Sequence, residues 1–211
     1  MRKNKKKINT LVIFDFDGVL VDSIKVMEIA WIEIINKYNL KQKFSDYKKL
    51  IGLPFFKILK NLGIKNNQKQ IHKMFDKISI KNQKKIKMYK GVKQILRFLK
   101  SNGFSTAIVT SKDKSRVLKL VRKLKIPISN IVCPSSKFRG KPYPDQIYEA
   151  IKKSKIKPRK VYFVGDMHVD YLLAKNAAVD FIFAKYGYGI TKDYKYQNTI
   201  KNFKDIKKII K

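Results

Sequence analysis

Five short apolar runs punctuate the chain: Leu11-Val12-Ile13-Phe14, Thr106-Ala107-Ile108-Val109, Ile131-Val132-Cys133, Val161-Tyr162-Phe163-Val164 and Phe181-Ile182-Phe183-Ala184. A short apolar run that ends in polar or glycine residues reads as a strand buried on both faces. Between the runs the apolar residues recur at helical spacing. Val92, Ile95, Leu96 and Leu99 share one face, with Gly103 placed to end that helix. Val117, Leu120, Val121 and Leu124 make another, closed by Pro127. Ile147, Ala150 and Ile151 follow the opening Pro144-Asp145, and Leu173, Ala174 and Ala177 make a fourth. Strands alternating with such helices join by right-handed βαβ crossovers into a parallel sheet covered on both faces. The fold class is α/β, with a three-layer core.

One interval breaks the alternation. After the first strand, residues 23–87 are helical throughout: Met27, Ala30, Trp31, Ile34, Ile35 and Tyr38 form a long stripe. Ser45 is placed to cap a short helix, and Pro54 suits the first turn of one carrying Phe55, Ile58, Leu59 and Leu62, which Gly63 stops. Ile71, Phe75 and Ile78 give a last, basic helix. Such a segment is too long for a crossover helix, so it reads as a small all-helical domain inserted after the first strand. Residues 1–22 and 88–211 then form the α/β core domain. Lys65 to Gln70 and Asn82 to Lys87 read as solvated turns and a hinge.

With 211 residues, 44% of them hydrophobic, the chain can bury a sizeable core. No apolar run approaches the ~20 residues that span a bilayer. The basic start Met1 to Lys7 resembles the beginning of a signal peptide, but Asp15 and Asp17 interrupt the apolar run behind it. Cys133 is the single cysteine, which fits a reducing compartment, and the chain reads as cytoplasmic, without a membrane partner. The net charge of +35 suggests a polyanion partner. Against that, the lysines are scattered through every amphipathic segment, and Arg, the better phosphate fork, stands only at Arg2, Arg97, Arg116, Arg122, Arg139 and Arg159. Compositional drift therefore explains the charge better than a specific nucleic-acid partner, although weak, salt-sensitive attraction to polyanions remains.

In so basic a chain the acids carry the information. The first strand runs into Asp15-Phe16-Asp17-Gly18, two carboxylates that point to the same side of a sheet. Like charges so close are costly unless a cation sits beside them. The fourth strand runs into Gly165-Asp166 through Asp170, the second into Thr110-Ser111, and the third is followed by Gly140-Lys141-Pro142. All four sets lie just past the carboxyl ends of parallel strands, where open α/β sheets place their ligands.

These residues resemble the four motifs of the haloacid dehalogenase-like superfamily, in its phosphoglycolate-phosphatase-like branch: Asp15 to Ser23, Ile108 to Thr110, Gly140 to Pro142, and Gly165 to Asp170. The resemblance covers essentially the whole chain and implies a Rossmann-like core with 23–87 as a cap. The tail from Asn198 to Ile210 is similar to the closing helix of the family core. The implied activity is a Mg²⁺-dependent phosphatase for a small phosphorylated metabolite. Asp15 would be nucleophile and metal ligand, Asp166 a metal ligand, and Asp17 a ligand through its carbonyl and an acid/base through its side chain. Thr110 and the Ser111 N–H would bind phosphoryl oxygens, Lys141 would offset charge, and Asp170 would orient Lys141 or a metal-bound water. Gly18 would permit the turn beside the phosphate, and Lys57 in the cap is a candidate contact to a substrate anion. His72 reads as a surface residue, His168 as no ligand and Cys133 as a small buried residue.

Three positions depart from the family pattern: Met167 replaces a small hydroxyl residue, Ser111 a frequent Asn, and Ala177-Ala178 the usual Ala-Gly. A phosphosugar mutase keeps both aspartates of the first motif and is the nearest enzymatic alternative. A Schiff-base lysine of a phosphonatase is not identifiable among so many lysines, whereas a haloacid dehalogenase would have no use for Asp17. A nucleic-acid or anionic-surface binding protein on the same scaffold is the alternative from another class. Substrate identity and oligomeric state are not legible.

Overall fold

The computed structural model describes residues 9–189 and 195–210, so the basic start at Met1 to Lys7 lies outside the described residues. Strand β1 (Thr10–Phe14) is buried along its whole length. Leu11 and Ile13 enter the apolar layer on one side of the sheet, Val12 and Phe14 the layer on the other. A strand filled on both faces needs no polar alternation, which is why the run is unbroken.

The chain leaves through β2 (Val21–Asp22) and makes four helices, α1 (Ile24–Tyr38), α2 (Phe44–Lys49), α3 (Phe55–Asn61) and α4 (Gln68–Lys81). It returns through β3 (Lys87–Met88), which pairs antiparallel with β2. Then follow α5 (Val92–Ser101), β4 (Ser105–Val109), α6 (Lys114–Leu124), β5 (Asn130–Val132), α7 (Asp145–Lys153), β6 (Lys160–Gly165), α8 (His168–Asn176), β7 (Asp180–Ala184) and β8 (Thr199–Ile200). The six-stranded sheet has the order β5-β4-β1-β6-β7-β8, and its pairs are parallel. Because β4 and β6 flank β1, the carboxyl ends of all three open on one crevice.

Helices α1 to α4 enclose an apolar interior of their own. Trp31 is fully buried there, stacked on Tyr47 at 4.6 Å, with its indole N–H donating to the Gln42 carbonyl at 3.0 Å. Met167 and Tyr188 join this cluster from the sheet side. No described helix is long and apolar enough to cross a membrane.

Three local readings change. Ser45 does not cap α2; it lies within the first turn, and Asp46 accepts from the Lys43 N–H at 3.0 Å instead. The tail is not a closing helix. Thr199–Ile200 adds the edge strand β8, and a 3-10 turn covers Phe203–Lys208. Phe203 and Ile206, three apart and both buried, match the three-residue period of that turn. The β2–β3 ribbon had no signal, being two residues on each side.

At the end of α8, Ala178 takes φ +52°, the left-handed conformation that the family's glycine would serve. The Val179 N–H reaches back to the Ala174 carbonyl at 3.1 Å, so the helix end keeps its closure at the cost of strain. Ala178→Gly should raise the unfolding free energy by about 0.5–1 kcal/mol, the strain relief offset in part by glycine's freer unfolded chain. Urea denaturation checks this; no gain would mean that the left-handed Ala is unstrained.

Candidate active site

Asp15 extends the pairing of β1, its N–H donating to the Val164 carbonyl at 2.8 Å. The chain then reverses: Asp17 bridges to Val21, and the Gly18 N–H donates to the Val21 carbonyl at 2.9 Å. Gly18 has φ +84°, and a Cβ there would lie 2.1 Å from Asp166 Oδ2. Glycine is required twice over, by the backbone angle and by the carboxylate pressed against it. Gly187 and Gly189 close on Asp166 from the other side.

Lys141 is fully buried, its ammonium 2.8 Å from both Asp15 Oδ1 and Asp170 Oδ1. Asp170 Oδ2 accepts from the backbone N–H groups of Asp166 (3.1 Å) and Met167 (3.0 Å). Asp170 is thus fully engaged in positioning Lys141 and the start of α8. Burial alone would lower the Lys141 pKa, but Asp15 and Asp170 hold it above its usual value. Burial pushes Asp15 up to about 7, against the pull of Lys141. Burial, followed by the charges of Asp170 and Asp15, pushes Asp166 well above the usual carboxylate range.

Two buried carboxylates therefore flank one ammonium, and a third lies beside them. Asp15, Asp166 and Asp170 each offer an oxygen within 4.8 Å of the others'. Asp166 Oδ2 accepts from the Tyr188 N–H at 2.7 Å, while its buried Oδ1 has no hydrogen-bond partner among the described residues. The Asp17 carbonyl also receives no backbone hydrogen bond among them. Hard oxygen donors, excess negative charge and an orphaned buried oxygen together fit a divalent cation.

A cleft of about 70 Å³ opens beside this nest, lined by Asp15, Asp17, Thr110, Ser111, Lys112 and, from the helical segment, residues including Tyr47 and Phe55. Thr110 is buried; its carbonyl accepts from Gln146 Nε2 at 3.0 Å, which ties the loop after β4 to α7. The Ser111 hydroxyl donates to the Gly52 carbonyl at 2.5 Å, joining that loop to the helical segment. Both Asp17 oxygens lie 2.9 Å from the Lys112 ammonium, and Oδ1 also accepts from the Ser23 hydroxyl at 2.5 Å. The Asp17 side chain is therefore held rather than free. Burial pushes the Lys112 ammonium below its ordinary value against the pull of Asp17.

The structure thus gathers Asp15, Asp17, Gly18, Thr110, Ser111, Lys141, Asp166 and Asp170 at one crevice. Lys57 is not among them. It is exposed on α3, 5.7 Å from the Tyr143 ring centre, and lines a separate groove. His72 is corrected in the other direction: it lines the cleft, packed at 4.9 and 5.0 Å against the rings of Phe55 and Phe56. His168 Nδ1 lies 3.3 Å from the Tyr196 hydroxyl, and Cys133 is buried, its thiol pushed up to about 11 by that burial.

Three contributors had no readable signal. Lys112 is one lysine among dozens and is marked only by following Thr110-Ser111. Gln146 and Tyr188 act from positions remote in sequence; the Tyr188 hydroxyl accepts from the Ser23 N–H at 2.6 Å where the chain enters α1.

The family model of haloacid dehalogenase-like hydrolases matches residues 12–184. A curated relative, pyrophosphatase PpaX of Bacillus cereus (strain Q1), is 28% identical over 179 residues, covering 81% of this chain and 80% of its own. Phosphoglycolate phosphatase of Pseudomonas fluorescens is 24% identical over 194 residues, covering 86% of this chain and 71% of its own. Among solved structures, a hydrolase from Pseudomonas syringae superposes with a TM-score of 0.84 at 22% identity, covering 96% of this chain and all (100%) of that one. That likeness speaks to the fold.

Proposed function

The chain belongs to the haloacid dehalogenase-like hydrolases, and on that premise we infer that it is a Mg²⁺-dependent phosphatase acting on a small phosphorylated metabolite through an aspartyl-phosphate. The single observation that carries the reading is the nest of Asp15, Asp166 and Asp170 around Lys141, opening on a cleft lined by Thr110 and Ser111. The relatives' names, a pyrophosphatase and a phosphoglycolate phosphatase, agree with it.

Asp15 and Asp166 through carboxylate oxygens, and Asp17 through its carbonyl, would hold the cation. When bound, it offsets the charge of the phosphoryl group and of the carboxylate that meets it. Lys141 holds Asp15 in place from one side, so its other oxygen is the one presented to phosphorus. The Thr110 hydroxyl and the Ser111 N–H donate to phosphoryl oxygens, where charge develops. Asp15 attacks phosphorus, and the phosphorus–oxygen bond to the leaving alcohol breaks. Asp17 serves as the acid/base of the cleft, passing a proton to that oxygen and taking one from the water that cleaves the aspartyl-phosphate. Lys112 and Ser23 fix the Asp17 carboxylate at the cleft wall. Helices α1 to α4 serve as a lid, with the Ser111–Gly52 contact as one of its closing points.

Purified protein should release inorganic phosphate from a panel of phosphoglycolate, sugar phosphates and pyrophosphate in Mg²⁺, and lose at least about 100-fold of that rate in excess chelator. Release that is indifferent to chelator would refute the cation's role. Isomerised sugar phosphate in place of free phosphate would assign the mutase reaction instead.

A further inference from the structure

Beyond Thr110 the cleft wall carries basic side chains beside Asp113 and comes from both parts of the chain. Lys112 and Arg116 stand at the start of α6 and His72 on α4, and all three line the cleft that holds Asp15 and Asp17. Tyr47, Phe55 and Phe75 supply an aromatic face beside them. Lys112 is committed to Asp17. Arg116 is not fully committed. Its Nη1 donates to Asp76 on α4, and its guanidinium carbon lies 5.6 Å over the Phe75 ring. Its Nε and Nη2 donate to no acceptor among the described residues. The side chain is only 11% exposed overall, and a planar fork with unused donors on the wall of a cleft can take an oxyanion. Its position is also locally unfavourable. A cation in the first turn opposes the helix dipole, and α6 has no acid there, only the Asp113 cap preceding it. Asp76 shows that the fork already takes a carboxylate, one it shares with His72 at 3.6 Å.

We propose that Arg116 is a specificity-determining residue that binds a second anionic group on the substrate, a carboxylate or a second phosphate, and so selects small phosphorylated acids over phosphate esters of neutral alcohols. The proposal rests on the phosphatase reading above. Arg116 lines the same cleft as Asp15 and Thr110, so the second group would be carried by the molecule that brings the phosphoryl group. A bidentate fork on a carboxylate or phosphate supplies geometric selection that the surface lysines cannot.

The test measures phosphate release with Mg²⁺ on matched pairs differing in one anionic group: phosphoglycolate against ethyl phosphate, 3-phosphoglycerate against glycerol 3-phosphate, and propane-1,3-diol bisphosphate against propyl phosphate. The wild type should favour the charged member at least about tenfold in kcat/KM. Arg116→Gln should lower kcat/KM on that member by roughly 10–100-fold, mainly through KM, and change the neutral member less than about threefold. Arg116→Lys, which keeps the charge without the fork, should fall between them, and Asp76→Asn should retain the preference. Which charged pair responds most separates a carboxylate from a second phosphate. Equal losses on both members would assign Arg116 to holding the lid and overturn the proposal, as would a wild type without preference. Failure of the wild type on every substrate would instead remove the phosphatase reading, and the subsite with it.

Discussion

Asp15→Asn should abolish turnover, with phosphate release reduced by at least about 10⁴-fold, in a protein that still folds. The substitution is nearly isosteric, so the 2.8 Å contact to Lys141 can persist through the amide oxygen. What disappears is the anion that the proposed mechanism uses as its nucleophile, and losing an attacking group removes most of the chemistry that a site performs as a unit. Stability should hold or rise slightly, because burial already works against the Asp15 charge. Initial rates with circular dichroism on the same sample make the comparison. A variant retaining a hundredth or more of wild-type rate would mean that another group attacks phosphorus.

Lys141→Met should cost about 3–5 kcal/mol of unfolding free energy near neutral pH, the usual loss when one partner of a buried ion pair is removed. Asp15, Asp166 and Asp170 are left facing one another without the ammonium. The direction of each shift sets the sign of the pH dependence. The Lys141 pKa is raised in the folded protein, so its contribution is fully present below the usual lysine value and does not change between pH 5 and 8. Asp15 and Asp166 lie above their usual values through burial, Asp15 at about 7 with Lys141 present. Without Lys141 they rise further, the folded variant holds more protons than the unfolded chain, and stability falls as pH rises. Urea titrations in chelator should therefore show a deficit larger at pH 8 than at pH 5. A deficit independent of pH would mean that lost packing, not lost charge, dominates.

The sheet was legible because a strand buried on both faces writes itself as an unbroken apolar run. Leu11 to Phe14 and Val161 to Val164 fall inside β1 and β6. The acids were legible for the opposite reason: in a chain this basic, Asp15, Asp17, Asp166 and Asp170 stand out against their background. Lys112 had no such contrast, being one lysine among dozens. What selects Lys112 is burial against Asp17, a property of the folded chain that no spacing announces. His72 was misplaced because a basic, amphipathic helix looks solvated on its polar face, whereas α4 turns that edge of itself into the cleft. Lys57 was misplaced by the converse: α3 points it outward. The tail misled because Phe203 and Ile206 have a spacing shared by α-helices and 3-10 turns, and spacing alone does not choose between them.

The two-residue ribbon of β2 and β3 sets Asp22 opposite Lys87, so the long helical excursion begins and ends at neighbouring points beside the parent sheet. Closing a loop whose ends already meet becomes only logarithmically harder as the loop grows. Lengthening, shortening or exchanging everything between those two residues would thus leave the sheet's register untouched, which makes this doorway the place where such a scaffold can change its diet without relearning how to fold.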